Sequence, residues 1–148
     1  MIRVATKFDL PALIQMMRDY STQSPVAALG LAKNHNEDHV RKLLLNLMLG
    51  VGFILIDDLH RGFLAAVKTP NVWCPKVIEL HELAWWVKSE HRNGTTGGRL
   101  WHRFDELAKE MLSKNEVQVV CTSLLSNSVP IDYTRRGYAP MQTTYFRD

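Results

Sequence analysis

Apolar residues recur along this 148-residue chain in two rhythms, one of period two and one of period 3.6, and the switches between them mark out the elements. Ile2, Val4 and Thr6 alternate with their neighbours and predict a strand over 2–6. Leu10, Leu13, Ile14 and Met17 then return at helical spacing. Asp9 stands where an N-cap would stand, and Pro11 falls in the tolerant first turn, so a helix running to about Tyr20 is predicted. Over 21–35 the pattern lapses into small and polar residues with Pro25 and Gly30, a loop long enough in so small a chain to be functional or mobile. Asn36 caps a second helix, with Glu37 and Asp38 at its positive end and Val40, Leu43, Leu44, Leu47 and Met48 on one face.

Period-two patterning dominates the middle of the chain. Residues 51–57 and 62–68, joined by a turn over 58–61, read as an antiparallel hairpin, and 76–87 reads as a long strand reached through the loop 69–75. Leu100, Trp101, Phe104, Leu107, Ala108, Met111 and Leu112 form the stripe of a third, amphipathic helix. An apolar run over 117–124 predicts a further strand, placed centrally in the sheet. A turn over 126–130, a short helix over 131–136 and a last strand over 139–146 complete the order β-α-α-β-β-β-α-β-α-β.

Size and charge narrow the function classes. The chain is read as one domain over 1–148, long enough to bury a core without staples. No stretch approaches the ~20 apolar residues of a membrane span, and the first residues are too mixed for a secretory signal, so a cytoplasmic protein with no membrane partner is expected. Cys74 and Cys121 are too few for a disulfide framework and too isolated for a zinc site, and no metal is expected. His35 and His39 lie four apart, but His35 precedes the cap. The net charge of +3 is small and scattered, which argues against nucleic acid despite a sequence pI of 9.0 and suits an anionic ligand.

Candidate chemistry concentrates where the long strand runs into the third helix. Ala84-Trp85-Trp86-Val87 is a strand end, and Arg92-Asn93-Gly94-Thr95-Thr96-Gly97-Gly98 leads into the helix. The first turn of a helix has amides with no intrahelical partner and carries roughly half a positive charge. Glycines admit a phosphate close to that backbone, Arg92 adds a cation, and the hydroxyls of Thr95 and Thr96 can cap or donate. The same composition also describes an ordinary glycine-rich turn. A Walker A loop is excluded, because Gly98-Arg99-Leu100 stands where Gly-Lys-Ser or Gly-Lys-Thr is required, and the acidic partner of a dinucleotide fingerprint is missing.

A third pattern fits. Val87, Arg92, Gly97 and Leu100 resemble the acyl-coenzyme A loop of the GCN5-related N-acetyltransferase superfamily, a strand followed by Arg/Gln-x-x-Gly-x-Gly/Ala at a helix start. Thr95 stands where the family has its first glycine, and a β-branched residue is disfavoured at positive φ, so the loop is expected to tilt or to pass strain to a neighbouring glycine. Tyr133, four residues before Gly137-Tyr138, is similar to the family's tyrosine on a short helix, with Asn127 one residue nearer to it than the family's cofactor-contacting asparagine. The element order is also the family's from end to end.

The resemblance implies an α/β (α+β) acyltransferase fold with a mixed, mostly antiparallel sheet of six to seven strands that splays between the fourth and fifth. It implies direct acetyl transfer from acetyl-coenzyme A to a primary amine of a small molecule or protein. Trp85, Trp86 and Val87 would pair with the pantetheine arm, the loop Arg92 to Gly98 and Asn127 would hold the cofactor, and Tyr133 would protonate the departing thiolate. For the base, Glu82 and His81 are rivals and Glu79 stands third; alternation puts Glu79 and His81 on one face of the strand and Glu82 on the other, unless a bulge intervenes. Arg99 and Arg103 either reach the phosphates or form a solvated helix face. A non-catalytic acyl-coenzyme A-binding module with the same fold is the competing reading, and a homodimer is allowed by the family's habits.

Overall fold

The computed structural model describes residues 1–26, 29–31 and 33–147. The strands are β1 (Ile2–Val4), β2 (Gly52–Asp57), β3 (Gly62–Pro70), β4 (Ile78–Val87) and β5 (Val119–Cys121), and the helices are α1 (Leu10–Ser21), α2 (Glu37–Asn46) and α3 (Thr96–Ser113). One five-stranded sheet runs in the order β1-β2-β3-β4-β5, with β1 to β4 antiparallel and β5 parallel to β4. Part of the loop over 21–35 lies outside the described residues.

Two apolar layers flank the sheet. Leu10, Leu13, Ile14 and Met16 of α1 and Leu44 of α2 pack against Ile54, Ile56, Phe63, Ala65 and Ala84 on one face. Leu100, Trp101, Phe104 and Ala108 of α3 pack against Leu55, Leu64, Ala66 and Leu80 on the other. Burial of these side chains on both faces is the main stabilising term, each leucine, isoleucine, methionine or phenylalanine contributing roughly 1.5–3 kcal/mol. Asn36 caps α2, its side chain accepting the His39 amide at 2.9 Å. α2 then passes through a π-type turn, Leu47–Val51, whose Gly50 has φ 112°, a left-handed value that glycine adopts without strain. Gly52 follows at the start of β2, and a Cβ there would lie 1.9 Å from the Ala66 carbonyl oxygen, so only glycine lets β2 and β3 close to hydrogen-bonding distance.

Three expectations are corrected. The sheet has five strands rather than six or seven, because residues 139–147 form no strand and are exposed throughout. None of the described strands pairs with them, and alternation alone does not hold a strand together. The apolar run over 117–124 shortens to β5 at the sheet edge: Val117 is buried under α3, whereas Leu124 and Leu125 are largely exposed. Asp9, finally, does not cap α1 with its side chain. Its carboxylate instead receives the Thr6 amide, two nitrogens of Arg3 at 2.8 Å each, and His60 Nε2 at 3.0 Å, and the Arg3 guanidinium holds it well below the usual carboxylate range.

Candidate active site

The β4–β5 pairing ends after three rungs. Glu79, Leu80 and His81 face Val119, Val120 and Cys121, and beyond that point the β4 edge from Glu82 to Val87 has no strand partner on this side. The two strands part here. On its other side β4 remains paired with β3 to Val87, but the register slips so that Ala65 faces Ala84 and Ala66 faces Glu82, leaving Leu83 as an extra residue. This β-bulge shifts the side-chain alternation by one position. Upstream, Leu80 and Glu82 point toward α3 while Glu79 and His81 point toward α1 and α2; downstream, Trp85 and Val87 point toward α3 and Trp86 points toward α1.

Three polar side chains meet at the parting. The Thr122 hydroxyl donates to Glu82 Oε2 at 2.8 Å. Burial raises the Glu82 carboxyl above its usual range, opposed by the Thr122 hydroxyl and the Ser123 amide. The Tyr133 hydroxyl is buried beside them and has no hydrogen-bond partner among the described residues. Burial also raises the Tyr133 phenol, with Thr122 opposing and the Glu82 charge adding, so it is protonated at neutral pH. Sequence reasoning missed Thr122. The parallel register supplies the signal: with His81 opposite Cys121, the next pair in line is Glu82 and Thr122.

Tyr133 comes from a short helical turn, Tyr133–Arg136, started by Asp132, whose side chain accepts the Thr134 amide, and ended by Gly137 at φ 83°. Aromatic packing fixes its ring. Trp101 of α3 lies 5.1 Å from Tyr133 and 5.9 Å from Tyr138, and Trp85 stacks on Trp101 at 5.5 Å. The Tyr138 hydroxyl donates to Asp105 Oδ1 at 3.3 Å.

The strand–helix junction is open at the helix start. Thr95 has φ −92°, so it carries no strain and neither tilt nor compensating glycine is needed. None of Gly94, Gly97 and Gly98 has positive φ. Their use is space: a Cβ on Gly98 would meet nothing within 4 Å. Among the described residues no side chain caps α3, and the first backbone hydrogen bond into it runs from the Arg99 amide to Thr95 O, so the amides of Thr96, Gly97 and Gly98 are free, whereas that of Gly94 donates to His91 O at 3.2 Å. Thr96 is buried, and Asn93, Gly94 and Thr95 are exposed.

Other predicted residues lie elsewhere. The Arg92 guanidinium sits 4.2 Å from the Trp86 ring and its Nε donates to Val87 O at 2.9 Å, so it closes the end of β4. Arg92 and Trp86 also border a groove of about 410 Å³ with Gln15, Asp19 and Gln23 of the α1 end. Asn127 donates to Gln23 O at 3.1 Å and so ties the chain after β5 to the other side of that groove. His81 is on the face away from Tyr133, paired with Glu79 at 3.3 Å. Arg99 lies 3.5 Å from Asp57 and Arg103 3.1 Å from Glu106, so both are engaged by carboxylates.

An acyl-coenzyme A fits these residues by two tests internal to the chain. The buried Tyr133 hydroxyl and the Trp85 and Trp101 indole N–H groups want acceptors. The uncapped first turn of α3, with open space at Gly98, wants an anion.

No family model and no curated protein matches the sequence. Solved structures do match. A GCN5-related N-acetyltransferase from Ralstonia eutropha superposes with TM-score 0.70 at 18% identity, covering 99% of this chain and 97% of that one. A ribosomal-protein-alanine N-acetyltransferase from Brucella melitensis biovar Abortus gives 0.63 at 13%, covering 100% and 99%. An aminoglycoside acetyltransferase from an uncultured soil metagenomic sample gives 0.62 at 18%, covering 99% and 93%. The fold is that of the GCN5-related N-acetyltransferase superfamily over the whole length of the chain.

Proposed function

We propose that the protein is an N-acetyltransferase that passes the acetyl group of acetyl-coenzyme A directly to a primary amine of a small molecule or protein, with both substrates bound together. The observation that carries this reading is the grouping of Glu82, Thr122 and an unpartnered Tyr133 hydroxyl where β4 and β5 part. Acetyl-coenzyme A would supply an activated thioester, and the protein's residues supply the rest.

The free first-turn amides of α3 hold a diphosphate, and the unpaired β4 edge offers backbone groups to an amide-bearing arm. Tyr133, protonated because it is buried, gives its proton to the departing thiolate. Glu82 accepts the proton that an ordinary alkylammonium, with a pKa of about 10.4, must lose before its nitrogen can attack. Its raised affinity for protons brings it nearer to neutrality, and Thr122 keeps the carboxylate in one orientation. His81 is set aside as base, since it faces the other side of the sheet. Two free cysteines fit a reducing, cytoplasmic setting.

The test is release of free thiol from acetyl-coenzyme A across a panel of amines, including aminoglycosides and peptide N-termini. Amine-dependent release that falls at least ~100-fold in Glu82→Gln, with coenzyme A binding retained, supports the reading. A protein that binds the cofactor and turns over no amine is a binding module instead.

A further inference from the structure

The α1-facing side of β4 carries a cluster for which the proposed reaction has no use. Glu79 and His81 are two residues apart on β4, and Cys121 is the β5 residue opposite His81 in the parallel pairing. Each offers one donor atom, and the three atoms lie within 4.8 Å of one another. Glu79 Oε2 and His81 Nε2 are 3.3 Å apart. Two ligands held at ~2.0–2.1 Å by a tetrahedral ion are themselves separated by roughly 3.3 Å, so this pair is already at ligand spacing. The other Glu79 oxygen accepts Asn71 Nδ2 at 3.2 Å, which holds the carboxylate from behind as outer-shell partners of metal ligands do. All three residues are half-buried, which leaves one side of the cluster open to water.

We propose that Glu79, His81 and Cys121 bind one divalent cation of the zinc class, completed by a water molecule, and that the ion clamps β4 to β5 just before they part. A thiolate, an imidazole and a carboxylate together select zinc or cobalt over magnesium or calcium, which prefer all-oxygen sites. Binding displaces the thiol proton of Cys121 to solvent as the sulfur–metal bond forms. The clamp lies one residue upstream of the Glu82–Thr122 pair, on the opposite face of the sheet. The ion therefore fixes the strand separation without touching the groups assigned to acetyl transfer. Forty residues separate His81 from Cys121, so no local spacing announces the site.

Metal-stripped full-length protein is titrated with Co²⁺ at neutral pH. One equivalent is expected to give a thiolate-to-cobalt charge-transfer band with the visible absorption of a four-coordinate site, to be displaced by Zn²⁺, and to raise the melting temperature. Cys74→Ser keeps the band, Cys121→Ser abolishes it, and Glu79→Gln, a second variant should Cys121→Ser fold poorly by circular dichroism, weakens Co²⁺ binding at least ~10-fold. Absence of the band in the parent protein overturns the proposal, as does its survival in Cys121→Ser, its loss in Cys74→Ser, or unchanged affinity in Glu79→Gln.

Discussion

Replacing Tyr133 by phenylalanine separates the role of the hydroxyl from that of the ring. The ring contacts with Trp101 and Tyr138 remain, and only an unpartnered buried oxygen is removed. An unsatisfied buried polar group costs about 1–3 kcal/mol, and for a half-buried residue the lower end applies, so Tyr133→Phe is expected to be neutral or to stabilise the free protein by ~1 kcal/mol. For a domain of this size that is a rise of roughly 3 °C in melting temperature. Turnover moves the other way. Loss of a positioned proton donor lowers kcat by ~10²–10⁴-fold, or about 2.7–5.5 kcal/mol of barrier. Coenzyme A affinity by calorimetry changes little. The assay is thermal denaturation beside amine-dependent thiol release. A clear fall in melting temperature would mean that the hydroxyl holds the fold together, and an unchanged kcat would remove it from the chemistry; either result refutes the reasoning.

Three further outcomes follow from the structure. Gly98→Asp puts a carboxylate into open space in the first turn of α3, where it favours the helix by about 0.3–1 kcal/mol yet repels a diphosphate, so stability holds or rises while coenzyme A affinity falls at least ~10-fold by calorimetry; undiminished affinity would place the diphosphate elsewhere. Asp57 is fully buried, and the Arg61 guanidinium that hydrogen-bonds it lowers its pKa from 3.8 to about 2 against the opposing effect of burial. Its contribution to stability is complete above about pH 4 and is lost as the pH falls toward 2, so urea midpoints decline over that range and decline less in Asp57→Asn. Gly52→Ala drives a Cβ into the Ala66 carbonyl and forces β2 away from β3, a loss of about 3 kcal/mol or more by urea denaturation, and a variant as stable as the parent would show that the strands separate freely.

Most of the scaffold was legible in the sequence because its elements bury one face each. The stripes of α1, α2 and α3 and the alternation of β2 to β4 follow directly from that requirement, and Asn36 caps α2 as read. Features set by partners distant in sequence were not legible. Asp9 has the local signature of a cap, but Arg3 and His60, brought up by the sheet, claim its carboxylate. The segment 139–146 has the alternation of a strand, yet none of the described strands pairs with it. At the site, the junction before α3 was located by its glycines, although they serve by leaving space and not by unusual dihedrals. Local spacing leaves Glu82 and His81 as rivals, and the contact that distinguishes their surroundings, the hydrogen bond from Thr122 to Glu82, comes from a strand far along the chain.

The surplus residue Leu83 has a consequence for anyone shortening or lengthening β4. The bulge keeps Glu82 and Trp85 on one side of the sheet although three positions separate them, since three steps along an unbroken strand would reverse direction. Deleting Leu83 leaves two steps between them and preserves that arrangement, so a single-codon loss there straightens the strand without turning either side chain over. An added residue that the strand does not absorb as a second bulge instead swaps the surroundings of the carboxylate or of both indoles. The centre of this strand therefore tolerates losing one position and not gaining one.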